Sequence, residues 1–148
     1  MEQQPSIKGL ANTPLVNVVR GAIPGPNPVG IEEHDDVGHL VLRGDATQLA
    51  SAVTEVLDLV FPDQPLSSCS RDKTCIRWIS PDEWLVTVPG TETSSVESSL
   101  RDAIVGHVAI VNVSGGQTIV HLTGKHASDV LMKSTSYDVH ELNFPTGK

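Results

Sequence analysis

The sequence predicts an α+β fold built on a ferredoxin-like split β-α-β unit, extended by a further β-hairpin strand and a helix. Segments with the two-residue period of strands alternate with segments of helical period. Turn and capping residues separate them, which gives the order strand, helix, strand, strand, helix, strand, strand, helix. The first six elements match the split β-α-β arrangement, whose helices are expected to cover one face of the sheet.

Length and charge limit the possible partners. The chain has 148 residues, enough for one domain, and carries 10 basic against 18 acidic residues, for a net charge of −8. An acidic chain is poorly suited to nucleic acid or an anionic membrane. It has neither an 18-residue apolar run nor the basic-then-apolar pattern of a signal peptide, so we expect a cytoplasmic protein.

The two cysteines give no sign of a metal site or a disulfide. Cys69 and Cys75 form the only cysteine pair, and no histidine stands at zinc-ligand spacing beside them. A disulfide is uncommon in a cytosolic chain. We therefore interpret both as ordinary thiols.

Residues 1–38 are predicted to form an extended Pro/Gly-rich N-terminal arm. They contain five of the ten prolines, which exclude a helix or a central strand around residues 22–28. The alternative is a disordered tail, but four apolar residues favour an arm laid along another surface: Leu15, Val16, Val18 and Val19.

A strand and a helix open the domain, which is predicted over residues 39–148. Residues 39–44 have strand character, and Asp45 with Gln48 three positions later is a variant of the capping box. One apolar helical stripe follows and ends at Phe61-Pro62; it comprises Leu49, Val53, Val56, Leu57 and Val60. Residues 63–73 are predicted to be a loop.

The next two strands, 74–79 and 84–88, are predicted to form a hairpin around the turn at residues 80–83. Trp78 and Trp84 flank this turn, as a hydrophobic lid or as interface anchors, since tryptophan is enriched at interfaces. Pro81 and Asp82 at the tip are interface candidates with them. Asp82 and Glu83 could form an acid–base pair, although turn geometry explains them more simply.

The last third contains a helix that is capped by Thr91 or Thr93 and closed by Gly106. One face of this helix carries Val96, Leu100, Ala103 and Ile104. Strands at 107–113 and 117–122 are predicted to form a second hairpin around residues 114–116. A helix over 125–133 follows. Residues 40–42 and 108–111 are apolar on both faces, which indicates either a partner surface, with Ile110 as a candidate, or cover from the arm and the third helix.

The chain shows no recognisable catalytic, cofactor or metal motif. It lacks a dinucleotide fingerprint and a Walker loop, and no histidine and carboxylate are placed beside Ser80, Ser114 or Cys69. His107 and His121 are predicted to be structural neighbours across the second hairpin.

One further histidine cluster precedes the first predicted strand. His34 and His39 lie beside Asp35 and Asp36 and have ligand chemistry, but metal binding is not favoured there. We therefore expect no catalytic residue, cofactor or metal in this chain.

Four segments of the chain resemble the gamma subunit of heterotetrameric sarcosine oxidase. They are residues 42–45, 78–86, 111–114 and 122–131, the last continuing through Tyr-Asp-Val-His at 137–140 to Phe144. The Pro-Asp-Glu-Trp-Leu block at 81–85 is the most specific. The others are shared with the folate-binding fold of the glycine-cleavage aminomethyltransferases.

The resemblance implies a non-catalytic subunit in a complex with alpha, beta and delta chains. Such a complex oxidises sarcosine to glycine, passes the one-carbon unit to tetrahydrofolate and reduces oxygen to hydrogen peroxide. FAD, FMN, NAD and tetrahydrofolate would then belong to the larger subunits, and zinc to the delta subunit. This chain would have no cofactor of its own.

The chain departs from the family at two places. Asn112 stands where the family usually carries Asp, and the family continues beyond Lys148, so a natural short form or a truncated chain is expected. Two other functions remain as alternatives. One is a free-standing folate-binding or aminomethyl-transfer protein, and the other is an orphan protein-interaction module of the same fold.

Overall fold

The computed structural model describes residues 13–15 and 29–147, which form seven strands and three helices. The strands are β1 Gly30–His34, β2 Val37–Arg43, β3 Ser68–Arg71, β4 Thr74–Ser80, β5 Glu83–Pro89, β6 Ala109–Asn112 and β7 Ile119–Thr123. The helices are α1 Ala46–Leu57, α2 Thr93–Ala103 and α3 Ala127–Ser134. None of these helices is long and apolar enough to cross a membrane.

A five-stranded antiparallel sheet, in the order β3-β4-β5-β2-β6, organises the domain. Strand β2 lies between β5 and β6, so the β2-α1-β4 and β5-α2-β6 units interlock as in a ferredoxin-like fold. The predicted α+β fold class is confirmed. Strand β3, which pairs with β4, falls inside the stretch predicted to be a loop.

The predicted hairpin around residues 114–116 is wrong. Strand β6 pairs with β2, whereas β7 leaves the main sheet and pairs with β1 in a separate two-stranded sheet. Residues Ser114–Gly116 form a 3₁₀ turn between them. His107 and His121 are therefore not neighbours across one ladder.

The N-terminal part also differs from its prediction. Strand β1 lies within residues 1–38, and β2 begins at Val37, two residues before the expected start of the domain. Residues 30–38 are thus paired strands or their connection. Residues 1–12 and 16–28, where most of the predicted arm falls, lie outside the described part of the chain.

The cap of α1 is the predicted one. The Asp45 carboxylate accepts hydrogen bonds from the Thr47 amide at 2.9 Å and the Gln48 amide at 3.3 Å, which satisfies donors that the helix itself leaves free. The helix ends at Leu57, because Asp58 adopts a left-handed φ of 52°. Val60, predicted to continue the apolar stripe, lies beyond the helix and is 77% exposed.

Helix α2 approaches strand β2 closely at Gly38. A Cβ on Gly38 would lie 1.8 Å from the Thr93 hydroxyl oxygen, so only glycine leaves room for this helix. Thr93 in turn donates to the Gly90 carbonyl at 2.9 Å, which fixes the first turn.

The hydrophobic core lies between the sheet and the helices α1 and α2. Alternate residues of the central strands point into it and meet apolar residues of the two helices. The buried cluster comprises Leu40, Leu42, Leu49, Val53, Leu59, Ile76, Trp84, Val86, Val88, Leu100 and Ile110. Helix α3 has no fully buried residue.

Candidate functional site

The sheet face turned away from α1 and α2 carries a row of four side chains, three of which are apolar. Val111 pairs with Val41, Val41 with Leu85, and Leu85 with Arg77, so the four residues cross β6, β2, β5 and β4 in one line. We refer to these four residues as the open face. Val111 is 49% exposed, Val41 and Leu85 are half-buried, and Arg77 is exposed. Such a row can receive another protein surface.

The burial of the core side of the sheet corrects two predicted interface residues. Trp84 is 1% exposed and Ile110 is 4% exposed, so neither side chain can reach a partner. The Trp84 ring donates from Nε1 to the buried Pro62 carbonyl at 2.8 Å and packs on Phe61 with a centroid distance of 4.7 Å. Trp84 is a core residue.

Trp78 lies directly across the ladder from Trp84. It is half-buried and packs against the edge of the same core. Both tryptophans therefore fit the predicted role of a hydrophobic lid better than that of interface anchors.

The hairpin tip is exposed but its carboxylate is engaged within the domain. Asp82 accepts from Arg43 Nε at 3.0 Å and from the Ser80 hydroxyl at 3.0 Å, while its carbonyl accepts from the Gly44 amide at 3.0 Å. The Arg43 hydrogen bond is the main cause that lowers the pKa of Asp82. The structure thus favours the turn interpretation over an acid–base pair. Pro81 and Asp82 are both exposed.

An open cleft of about 430 Å³ lies beside the start of α2. Hydrogen bonds among its lining residues fix the turn after β6. Asn112 Oδ1 accepts from the Ser114 amide at 3.1 Å and the Ser114 hydroxyl at 2.7 Å. The Ser114 oxygen accepts from the His39 amide at 2.9 Å, which ties the end of β6 to β2. An aspartate at position 112 could accept the same two hydrogen bonds, so the Asn-for-Asp departure leaves this turn intact.

The predicted cluster of His34, His39, Asp35 and Asp36 is not formed as one site. His39 is 3% exposed within the main sheet, whereas His34 is exposed on β1. Burial is the main cause that lowers the pKa of His39, and the Val37 carbonyl partly opposes it. A buried imidazole of this kind is neutral at physiological pH and suits a structural role.

The two-stranded sheet brings together three residues that the sequence did not associate. Glu32 and His34 from β1 and His121 from β7 place their ligand atoms within 4.8 Å of one another. The imidazoles of His34 and His121 meet edge to face, with centroids 5.5 Å apart. Sequence patterns gave no signal for this cluster, because it depends on a strand pairing across about 90 positions.

The two cysteines lie on the neighbouring strands β3 and β4. Cys69 and Cys75 are both free and half-buried. Burial raises the pKa of the Cys75 thiol, so it is less readily ionised than an exposed cysteine. This agrees with the interpretation of Cys75 as an ordinary thiol.

Comparison with known proteins places this domain in a family. Residues 43–148 match the model of the sarcosine oxidase, gamma subunit family. A search of curated proteins gives no match.

A solved structure shares the fold. A chain of the heterotetrameric sarcosine oxidase from Corynebacterium sp. U-96, in complex with pyrrole 2-carboxylate, superimposes with a TM-score of 0.72 at 22% sequence identity. The match covers 83% of this chain and 64% of that one, so this chain spans less than two thirds of its structural relative. The likeness shows the fold, and the family model over residues 43–148 supplies the assignment: the chain belongs to the sarcosine oxidase gamma subunit family.

Proposed function

We propose that this chain is a non-catalytic structural subunit of a sarcosine oxidase complex, with alpha, beta and delta subunits as its partners. The observation that carries the proposal is the family match over residues 43–148, which includes α1, α2, α3 and strands β3 to β7. The complex would convert sarcosine to glycine, transfer the one-carbon unit to tetrahydrofolate and reduce oxygen to hydrogen peroxide. All of these steps would take place on the partner subunits, in the cytoplasm.

The use of polar groups within the domain supports a structural role. Asp82 is engaged by Arg43 and Ser80, Asn112 by Ser114, and His39 is buried. The Asp82 contact joins β2 to the turn between β4 and β5, and the Asn112 contact fixes the turn after β6. In this proposal FAD, FMN, NAD and tetrahydrofolate are held by the larger subunits and zinc by the delta subunit.

The open face is the proposed docking surface. Its three aliphatic side chains, Val41, Leu85 and Val111, lie side by side on neighbouring strands, and Arg77 adds a positive charge at one end. Covering such a row gains about 25 cal/mol for each Å² of apolar area removed from water. The partner is expected to present an apolar patch with a carboxylate near Arg77.

Co-expression with the other three subunits tests this proposal. A tag on the flavin-containing partner should retain the chain, whereas Val111→Asp should weaken association at least about tenfold, because full burial of a valine gains ~1.5–3 kcal/mol. Val60→Asp is the matched control, since this valine is exposed outside the open face. Far-UV circular dichroism confirms that both variants are folded.

The outcomes separate subunit membership from the docking surface. A wild-type chain that never associates with the flavoprotein overturns the proposed function. Unchanged association of Val111→Asp overturns the docking surface and leaves subunit membership standing.

A further inference from the structure

We propose that Glu32, His34 and His121 form a binding site for a first-row divalent metal ion of the Zn²⁺ class. The three ligand atoms lie within 4.8 Å of one another, and all three side chains are exposed. The site is separate from the docking surface proposed above, because it lies on the two-stranded sheet.

The strand register places all three side chains on one face. His121 is the direct cross-strand partner of Glu32, and His34 follows Glu32 by two residues. Directly paired residues share a face, and so do residues two apart on one strand. The backbone pairing, not a chance meeting of long side chains, therefore brings two imidazoles and a carboxylate together.

The chemistry of this set suits a transition metal. Two histidines and one glutamate are the protein ligands of a recognised class of zinc site, in which the fourth position is left to water. Bonds of about 2.0–2.2 Å in tetrahedral geometry put ligand atoms roughly 3.3–3.5 Å apart. The longest of the present spacings, up to 4.8 Å, therefore has to contract by as much as about 1.5 Å, which the exposed side chains can do by changing rotamer while the strands stay in place.

The surroundings favour a cation. Asp35 and Asp36 follow His34 directly and are exposed, and they line a shallow cleft of about 470 Å³ together with Glu32 and His34. Lys73 is the basic residue on the same cleft. The local charge is therefore negative, which raises the concentration of cations near the ligands.

A metal at this position would connect β1 to β7. A sheet of only two strands is marginally stable by itself, and this one buries little: four of the five residues of β1 are exposed. An ion held by Glu32 and His34 on one strand and by His121 on the other would fix their pairing. Because the ion binds the paired state, its concentration shifts the equilibrium toward that state.

Titration of the metal-free, full-length chain with Zn²⁺ tests the site. Calorimetry should show one equivalent bound, and His121→Ala should weaken binding at least about tenfold, since even residues that only support metal ligands contribute 10–100-fold. His107→Ala is the matched control, because His107 is an exposed histidine outside the cluster. Hydrogen–deuterium exchange should show zinc-dependent protection of residues 30–34 and 119–123.

Co²⁺ absorption identifies the ligands. Bands of four-coordinate cobalt without a sulfur charge-transfer band are expected for nitrogen and oxygen ligands, whereas sulfur bands would assign the ion to the cysteines and overturn the proposal. A Zn²⁺ dissociation constant weaker than about 1 mM, or equal losses in His121→Ala and His107→Ala, also overturns it. If His121→Ala does not fold, Glu32→Gln decides the question, because it removes only a charge from an exposed side chain.

Discussion

Replacement of Trp84 by phenylalanine should destabilise the domain by about 2–4 kcal/mol and leave partner binding unchanged. The smaller ring loses the 2.8 Å hydrogen bond to the Pro62 carbonyl, and a buried acceptor left without its donor costs about 1–3 kcal/mol. The space vacated by the second ring, roughly 40 Å³, adds about 1 kcal/mol at ~24 cal/mol per Å³. Trp84 is 1% exposed, so little relaxation toward solvent is available.

Urea unfolding followed by far-UV circular dichroism measures this loss. At an m-value of ~2 kcal/mol/M, the middle of the range for small domains in urea, the midpoint of Trp84→Phe should fall by about 1–2 M. Trp78→Phe is the control. This ring is half-buried and makes no side-chain hydrogen bond within the described residues, so the loss of stability should be smaller. The reasoning is refuted if Trp84→Phe shifts the midpoint no more than Trp78→Phe, or weakens partner binding while stability is unchanged.

Two other substitutions test the packing and the electrostatics of the domain. Gly38→Ala should lower the free energy of unfolding by about 1–3 kcal/mol, because it forces a Cβ against Thr93. Adding Thr93→Ala to the same chain should recover part of this loss. If the two losses in urea unfolding are purely additive, the close contact is contradicted. The hydrogen bond from the Thr47 hydroxyl is the main cause that lowers the pKa of Asp45 below 3.8 in the folded state. The ionised Asp45 carboxylate therefore stabilises the fold above pH 3.8, and this stabilisation is lost as the pH falls through the folded-state pKa. Asp45→Asn keeps a capping side chain but removes the titrating carboxylate. The urea midpoint of the variant should therefore rise relative to that of wild type as the pH is lowered from 7 to about 2. A pH-independent difference between the two midpoints would contradict this assignment.

Local signals in the sequence predicted most of the main sheet correctly. Asp45 before an apolar helical stripe predicted the start of α1, and Pro81-Asp82 between two β-rich runs predicted the hairpin of β4 and β5. Each of these signals acts over a few residues, where backbone preference and capping decide the structure. The strand order of the ferredoxin-like unit followed from the order of the elements.

The pairing of β1 with β7 could not be predicted in the same way. Residues 30–34 lack an alternating apolar pattern, and their partners lie at 119–123. Ser114-Gly115-Gly116 looks like a hairpin turn, but Asn112 and the His39 amide hold Ser114 in a 3₁₀ turn that sends β7 elsewhere. The cluster of Glu32, His34 and His121 could not be predicted for the same reason, because its members meet only through the pairing of β1 with β7.

Burial explains why the interface candidates changed. Trp84 and Ile110 are large and apolar. A residue of this kind can pack into the core or contact a partner protein, and the sequence pattern is the same in both cases. The strand register resolves this, because Leu42 pairs with both residues on the helix-covered face, whereas Val41 and Val111 share the other face.

Purification of the assembled complex through a tagged flavin-containing subunit tests the central claim most directly. The account predicts that this chain is recovered in a fixed ratio to the other three subunits, and that Val111→Asp is lost from the complex while Val60→Asp is retained. A complex that assembles fully without this chain, with the chain itself remaining a monodisperse monomer, would contradict the claim that it is a structural subunit.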